Sequence, residues 1–306
     1  MRCPRFLRAH CFIIQDGRAS VKRISLKVGK KKEMSKEYLS CVHTHTEFCD
    51  GKSTMEQMVL AALEMKYESL GFSPHSPLPY ENDWAMKKED LPAYFAELAR
   101  LKSLYGNRID LLCGIEWDEE TPDLPNGLDY VIGSVHSFSK RGIHFSVDYS
   151  RELLARVVKE GYDGDFLALC ADYFELLVAH GSKKQVDILG HFDLFFKYNK
   201  DGCFLDENDP RYLTLACKAA DELILARPDL YFEINVGGMP RAGRPYPYPA
   251  PPVLAHLAKR GARFVVTGDC HSAEQLKRGY GTLPSELARA TGGRLYLLTS
   301  KGYLPF

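Results

Sequence analysis

The chain has 306 residues, of which 45% are hydrophobic and 26% charged, with a formal net charge of zero. That is enough apolar material for one large core. The neutral balance argues against a nucleic-acid or membrane-surface protein, which would carry a basic excess, and no run approaches the roughly 18 apolar residues of a membrane span.

In chain order, the first segment stands apart. Residues 1–33 hold Arg2, Arg5, Arg8, Arg18, Lys22, Arg23, Lys27 and Lys30 to Lys32 against Asp16 and Glu33, and they are read as a basic tail outside the fold. Such a tail is a targeting peptide, a polyanion contact, or the product of an upstream start codon with Met34 as the first residue. The last is favoured, because Met34-Ser-Lys-Glu-Tyr38 resembles the start of a compact domain. The run Cys11-Phe-Ile-Ile14 is shorter than the ~7–15 residues of a signal-peptide core.

From residue 38 onward, short β-rich runs alternate with helical patterns. Strands are predicted at 38–43, 68–73, 110–115, 129–135, 186–190, 230–235 and 263–268. One helix starts after Ser53 or Thr54, on Met55, Met58, Val59, Ala62 and Leu63. Others are predicted at 90–104, 151–160, 165–180, 210–226, 252–260 and 273–278, with Gly106 and Gly261 placed as helix stops. Seven strands with intervening helices imply a parallel α/β architecture, open or closed into a barrel. Residues Gly237 to Pro252 carry five prolines in their last eight positions and are predicted to form a rigid loop without regular structure. Residues 281–306 are expected to pack on the outside.

The predicted strands end alike. The first ends in His43-Thr44-His45 with Asp50 beyond it. The next four run into His75, Glu116, His136 and His191, and the last ends in Asp269-Cys270-His271. In a parallel α/β fold these strand ends converge on one face. A single such residue is an ordinary polar cap, but strand after strand ending in the same way points to one site. Histidine with carboxylate suits zinc, iron or manganese. The nine scattered cysteines contain no C-x-x-C pair and are read as reduced thiols of a cytosolic enzyme. There are too many donors for one tetrahedral ion, so more than one divalent ion is expected, and paired ions suit an in-line displacement at phosphorus. His10, His144, His180 and His256 are given no catalytic role. Phosphate also needs fixed positive charge, for which Arg241 and Lys197 are the candidates and Arg244 the alternative. Arg227 is read only as a helix end.

The donor pattern His43-x-His45, Asp50, His75, Glu116, His136, His191 and Asp269-x-His271 resembles the metal signature of the polymerase and histidinol phosphatase (PHP) family over about residues 38–280. The phrases Gly133-Ser-Val-His136, Gly190-His-Phe-Asp193 and Glu233-Ile-Asn235 resemble its histidinol-phosphatase branch. The resemblance implies a distorted (β/α)7 TIM-like barrel. It implies that His43, His45, Glu116 and Asp269 hold one metal. Glu116 would bridge to a second metal held by His136 and His191, and Asp50, His75 and His271 would hold a third. It also implies phosphomonoester hydrolysis, with L-histidinol phosphate as the expected small substrate in histidine biosynthesis. Glu116, Asp269 and His271 would be the catalytic residues. The alternatives are a phosphoesterase acting on nucleotides or nucleic-acid ends, and a non-catalytic metal-binding module.

Overall fold

The computed structural model describes residues 11–15, 18–22 and 39–306. Within the predicted tail, β1 (Cys11–Gln15) and β2 (Arg18–Lys22) pair as an antiparallel hairpin separate from the main sheet. Met34 and His10 lie outside the described residues.

The main sheet takes its first strands in sequence order. β3 (Ser40–Cys41) leads to α1 (Met55–Glu64), which Thr54 and Gln57 start with a reciprocal capping box. β4 (Ser69–Phe72), α2 (Leu91–Tyr105), β5 (Asp110–Asp118) and β6 (Tyr130–Ser134) follow. A hairpin that periodicity did not reveal, β7 (Ser137–Lys140) with β8 (Ile143–Ser146), comes next. The helices α3 (Arg151–Gly161) and α4 (Phe166–Gly181) then return the chain to β9 (Ile188–Leu189). α5 (Pro210–Ala226), β10 (Tyr231–Asn235), α6 (Gly238–Ala242), α7 (Pro251–Lys259), β11 (Arg263–Thr267) and α8 (Ala273–Lys277) complete the repeat. Each predicted strand and helix is present, with shifts of a few residues at the ends.

The strands β3, β4, β5, β6, β9, β10 and β11 are all parallel. The first and last meet where Thr44 bridges Cys270, so the sheet curls into a distorted seven-stranded barrel. Two expectations are corrected. The proline-rich loop opens with helix α6, because its prolines begin in earnest only at Pro245. The C-terminal segment is not an outer layer. It forms α9 (Leu283–Ala290), then β12 (Leu295–Thr299) parallel to β11, then β13 (Gly302–Pro305). The Leu298 carbonyl accepts hydrogen bonds from Ser40 Oγ and Ser69 Oγ, so β12 fills the seam between β11 and β3 at the amino ends of the strands.

Strand alternation sets the interior. Val42, Leu112, Tyr130, Ile132, Ile188, Tyr231, Val265 and Leu298 form an inner apolar cluster, separate from the larger core packed beneath the helices. Gly71 and Gly114 are required there, since a Cβ at either would fall 2.3 or 2.2 Å from the Tyr130 side chain. Two residues further along, the same inward face turns polar: Glu116 on β5, Ser134 on β6, Glu233 on β10 and Thr267 on β11. The apolar layer is the floor on which the site rests. Among the described residues no helix is long and apolar enough to cross a membrane.

Candidate metal centre

Glu116 lies inside β5 rather than at its end, and it is 1% exposed. Around its Oε2 stand His43 Nε2 at 3.2 Å and His45 Nε2 at 3.5 Å. The same two nitrogens lie 3.7 and 3.2 Å from Asp269 Oδ1. Four donors with bonds of ~2.0–2.1 Å to one tetrahedral ion stand about 3.3–3.4 Å apart, so this spacing fits such an ion. The other oxygen, Oε1, has His191 Nε2 at 2.9 Å and His136 Nε2 at 3.2 Å. It also accepts a hydrogen bond from Ser134 Oγ at 2.7 Å. Further out, Asp50 Oδ2 lies 3.2 Å from His271 Nε2 and Asp50 Oδ1 lies 3.7 Å from His75 Nε2. All the donors predicted from sequence therefore converge. His75 also reaches inward, with Nδ1 2.9 Å from Glu116 Oε2.

The chemistry of these atoms fits bound cations. His43 Nε2, His45 Nε2, His75 Nδ1 and Glu116 Oε2 are buried without a hydrogen-bond partner among the described residues. Buried polar atoms left in that state cost about 1–3 kcal/mol each, and a metal ion satisfies all of them together. Burial alone would lower His43, but Glu233, Glu116 and Asp269 raise it well above its ordinary value. Burial would likewise raise Glu116, yet His43, His136 and His75 hold it well below the carboxylate range. His45 is pushed down to about 3 by burial and by the neighbouring His271 and His75. His45 is thus held in the neutral form that binds metal, and His43 holds a proton that a bound ion would displace.

Residues to which the sequence reading gave no role at the site hold the donors in place. Asp118, two residues past Glu116 on the same strand face, accepts from His136 Nδ1 at 2.8 Å. Glu233 accepts from His43 Nδ1 at 2.5 Å and from the His191 backbone N at 2.7 Å. The two ring bonds leave His136 Nε2 and His43 Nε2 facing Glu116, the orienting role of outer carboxylates in metal sites. Asn235 Nδ2 donates to both Glu233 and Asp269 at 3.1 Å. The available signal was a glutamate and an asparagine alternating on the inward face of an otherwise apolar strand. Asp269 itself sits at φ +45°, a left-handed conformation that costs a non-glycine residue roughly 1 kcal/mol and aims the carboxylate inward.

The cationic candidates separate. Arg241 lines the cleft, with Nη1 2.8 Å from His271 Nδ1 and Nη2 on Asp269 Oδ2. Lys197 also lines the cleft, but its Nζ lies 2.8 Å from Asp148 Oδ2, so its charge is already matched. Arg244 is removed from the cleft; it is buried against Glu207 at 2.9 Å and the Phe196 carbonyl. Arg227 caps α5 and ties down the Val186 carbonyl. The remaining described histidines contact other groups: His144, in β8, with Glu120, His256 with Asp221, and His180 with the Trp117 carbonyl.

A parallel barrel that gathers imidazoles and carboxylates at the carboxyl ends of its strands is built to hold metal ions. The PHP domain model matches residues 42–236, more than half of the chain, and the chain belongs to that family. It is 31% identical over 263 residues to a Deinococcus radiodurans protein named "Probable histidinol-phosphatase", covering 82% of this chain and 93% of that one. A Schizosaccharomyces pombe protein of the same name is 27% identical, over 80% and 84% of the two chains. Two solved structures share the fold. A Listeria monocytogenes protein matches with a TM-score of 0.66 at 21% identity, over 79% of this chain and 99% of that one. Lactococcus lactis histidinol phosphate phosphatase, crystallised with zinc, L-histidinol and phosphate, matches at 0.59 and 19%, over 86% and 98%.

Proposed function

We propose that this chain hydrolyses L-histidinol phosphate to L-histidinol and phosphate, as a step of histidine biosynthesis in the cytoplasm. The observation that carries the reading is Glu116, whose Oε1 faces two imidazole nitrogens and whose Oε2 faces three others, all at 2.9–3.5 Å. His43, His45, Glu116 and Asp269 would hold one divalent ion, Glu116, His136 and His191 a second, and Asp50, His75 and His271 a third. Zinc, iron and manganese all suit these donors. Once bound, the ions supply Lewis acidity toward phosphoryl oxygens and a water activated near neutral pH.

The side chains of the chain do the rest. Arg241 is the cation on the cleft wall, and its planar fork suits a phosphoryl group. It reaches the substrate by sharing donors now turned to Asp269 and His271. Lys197 contributes less, because Asp148 already neutralises it. Neither acid expected from the sequence holds a proton to give the leaving alkoxide, whose stabilisation is left to a bound ion. Burial would raise Asp269, but Arg241 and His43 hold it well below the usual carboxylate range, and His271 Nδ1 faces the donor-only Arg241 Nη1. The small-molecule reading is supported by the relatives' names and by the absence of a basic excess in the sequence. The described cysteines are all free, which suits a reducing compartment.

The test is phosphate release from histidinol phosphate, nucleotides and short oligonucleotides, before and after chelation. Histidinol phosphate should lead by a wide margin. Activity should vanish on chelation and return with zinc, iron or manganese. Full turnover in a verified metal-free preparation would remove the mechanism, and a nucleotide or oligonucleotide as best substrate would replace the proposed reaction.

A further inference from the structure

The cleft over the metal donors encloses about 550 Å³, and the proposed substrate has two unlike ends. One end is a phosphate monoester. The other is a planar imidazole and an ammonium group, which calls for an anion and a flat apolar wall. The carboxylates lining the cleft are Asp50, Asp83, Glu116, Asp148 and Asp269. Three of these face the histidines, and Asp148 is matched by Lys197 at 2.8 Å. Asp83 has no ion pair or hydrogen bond among the described residues, so its charge is uncommitted.

Its neighbour Trp84 stands over the metal histidines. The indole lies 4.7 Å from the His75 ring, edge-on at 87°, and 5.5 Å from the His136 ring. Both residues sit on a turn whose shape is fixed beforehand. Asn82 Oδ1 accepts from the backbone N of Trp84 at 3.2 Å and of Ala85 at 2.7 Å, and Asn82 Nδ2 donates to the Tyr80 carbonyl. On one flank Tyr80 OH donates to Glu120 at 2.7 Å. On the other, the backbone N of Met86, a residue 1% exposed, donates to the His75 carbonyl. A turn braced at both ends presents its tip at little entropic cost on binding.

We propose that Asp83 and Trp84 form the subsite for the cationic, planar end of the substrate. The indole face packs against the organic group, and the Asp83 carboxylate accepts hydrogen bonds from its ammonium or imidazolium. This rests on the proposed reaction for the identity of the substrate, but its chemistry is that of any phosphomonoester carrying a cation a few bonds from phosphorus. Asp83 is exposed, so solvent weakens the contact toward the low end of the charge-assisted range.

The experiment uses the metal-loaded full chain and compares kcat/KM for histidinol phosphate with that for p-nitrophenyl phosphate, which has no cation. In Asp83→Asn this ratio should fall about tenfold, mostly through KM. In Asp83→Lys it should fall further, with metal content unchanged in both variants. A ratio unchanged in both, or an equal loss on both substrates, overturns the subsite. Wild-type turnover of histidinol phosphate reads the proposed reaction separately. Should that turnover be absent, phosphoethanolamine against p-nitrophenyl phosphate gives the same ratio, and the same outcomes decide.

Discussion

Buried histidines occur in two regions of this molecule, and they are treated differently. His180, on α4, is fully buried; its Nε2 donates to the Trp117 carbonyl at 2.8 Å, its Nδ1 faces Lys183 Nζ at 3.2 Å, and its ring packs on the Trp117 indole. Every polar atom has a protein partner. At the barrel mouth His43 and His45 are as deeply placed and His75 nearly so, yet each keeps a ring nitrogen with no hydrogen-bond partner among the described residues, turned toward carboxylates. Burial therefore does not mark a metal histidine. The mark is a nitrogen left open toward an anion while the other ring atom is held, as Glu233 holds His43.

The hardest way to break that distinction is to neutralise the group at its centre. Glu116→Gln keeps the volume and the strand but weakens the attraction of one side chain for two ions. The variant should fold, lose part of its metal, and fall by about 10³-fold or more in kcat. Metal analysis paired with steady-state kinetics decides. Wild-type metal content with near-wild-type kcat would return Glu116 to the status of an ordinary strand residue.

A smaller effect is expected one layer out. Glu233→Gln removes the charge that orients His43 while leaving every proposed metal donor in place. A loss of about 10–100-fold in metal affinity is expected, partly overcome by excess metal in the assay. The same substitution keeps the volume, but the one carbonyl oxygen of the amide can accept from the His43 ring or from the His191 backbone and not from both, so a modest loss of stability should accompany the loss of affinity. Competition against a chelator of known affinity measures the shift, and an unchanged affinity would show that His43 needs no second partner.

The donors were legible because parallel strands bring their carboxyl ends together, so His43, Glu116, His136, His191 and Asp269 could be gathered without knowing any distance. Their supports were hidden. Asp118 lies beyond the predicted end of its strand, and Glu233, though part of the phrase Glu233-Ile-Asn235, was given no role because its partners come from other strands. Arg244 and Arg241 look alike in sequence, three residues apart. Helix α6 turns one toward the cleft and the other toward Glu207. The C-terminal strands were missed because β12 earns its place only as filler for a seam, which exists once the sheet has curled.

The smallest effect on activity, and the sharpest contrast, belongs to His180. Burial, reinforced by Lys183, lowers it from 6.5 to about 4 despite the Trp117 carbonyl. It stays neutral in the fold down to about pH 4, whereas the unfolded chain takes up a proton below about 6.5. In that window the unfolded state is the better proton binder, so this histidine adds stability above pH 6.5 that is lost as pH falls toward 4. The contribution is on the order of 2–3 kcal/mol. Asp193 acts oppositely over an overlapping range, since burial raises its carboxyl to about 6 and favours the fold at lower pH. The whole-protein curve therefore mixes the two, and the informative quantity is the difference between wild type and His180→Gln. Glutamine can still donate to the Trp117 carbonyl but does not titrate. The stability gap between the two proteins should shrink or reverse between pH 6.5 and 4, while metal content and kcat stay within about twofold. Denaturant midpoints across that range measure it. A gap that does not move with pH would mean that His180 is not held neutral, and a loss of metal would place it with the histidines of the mouth.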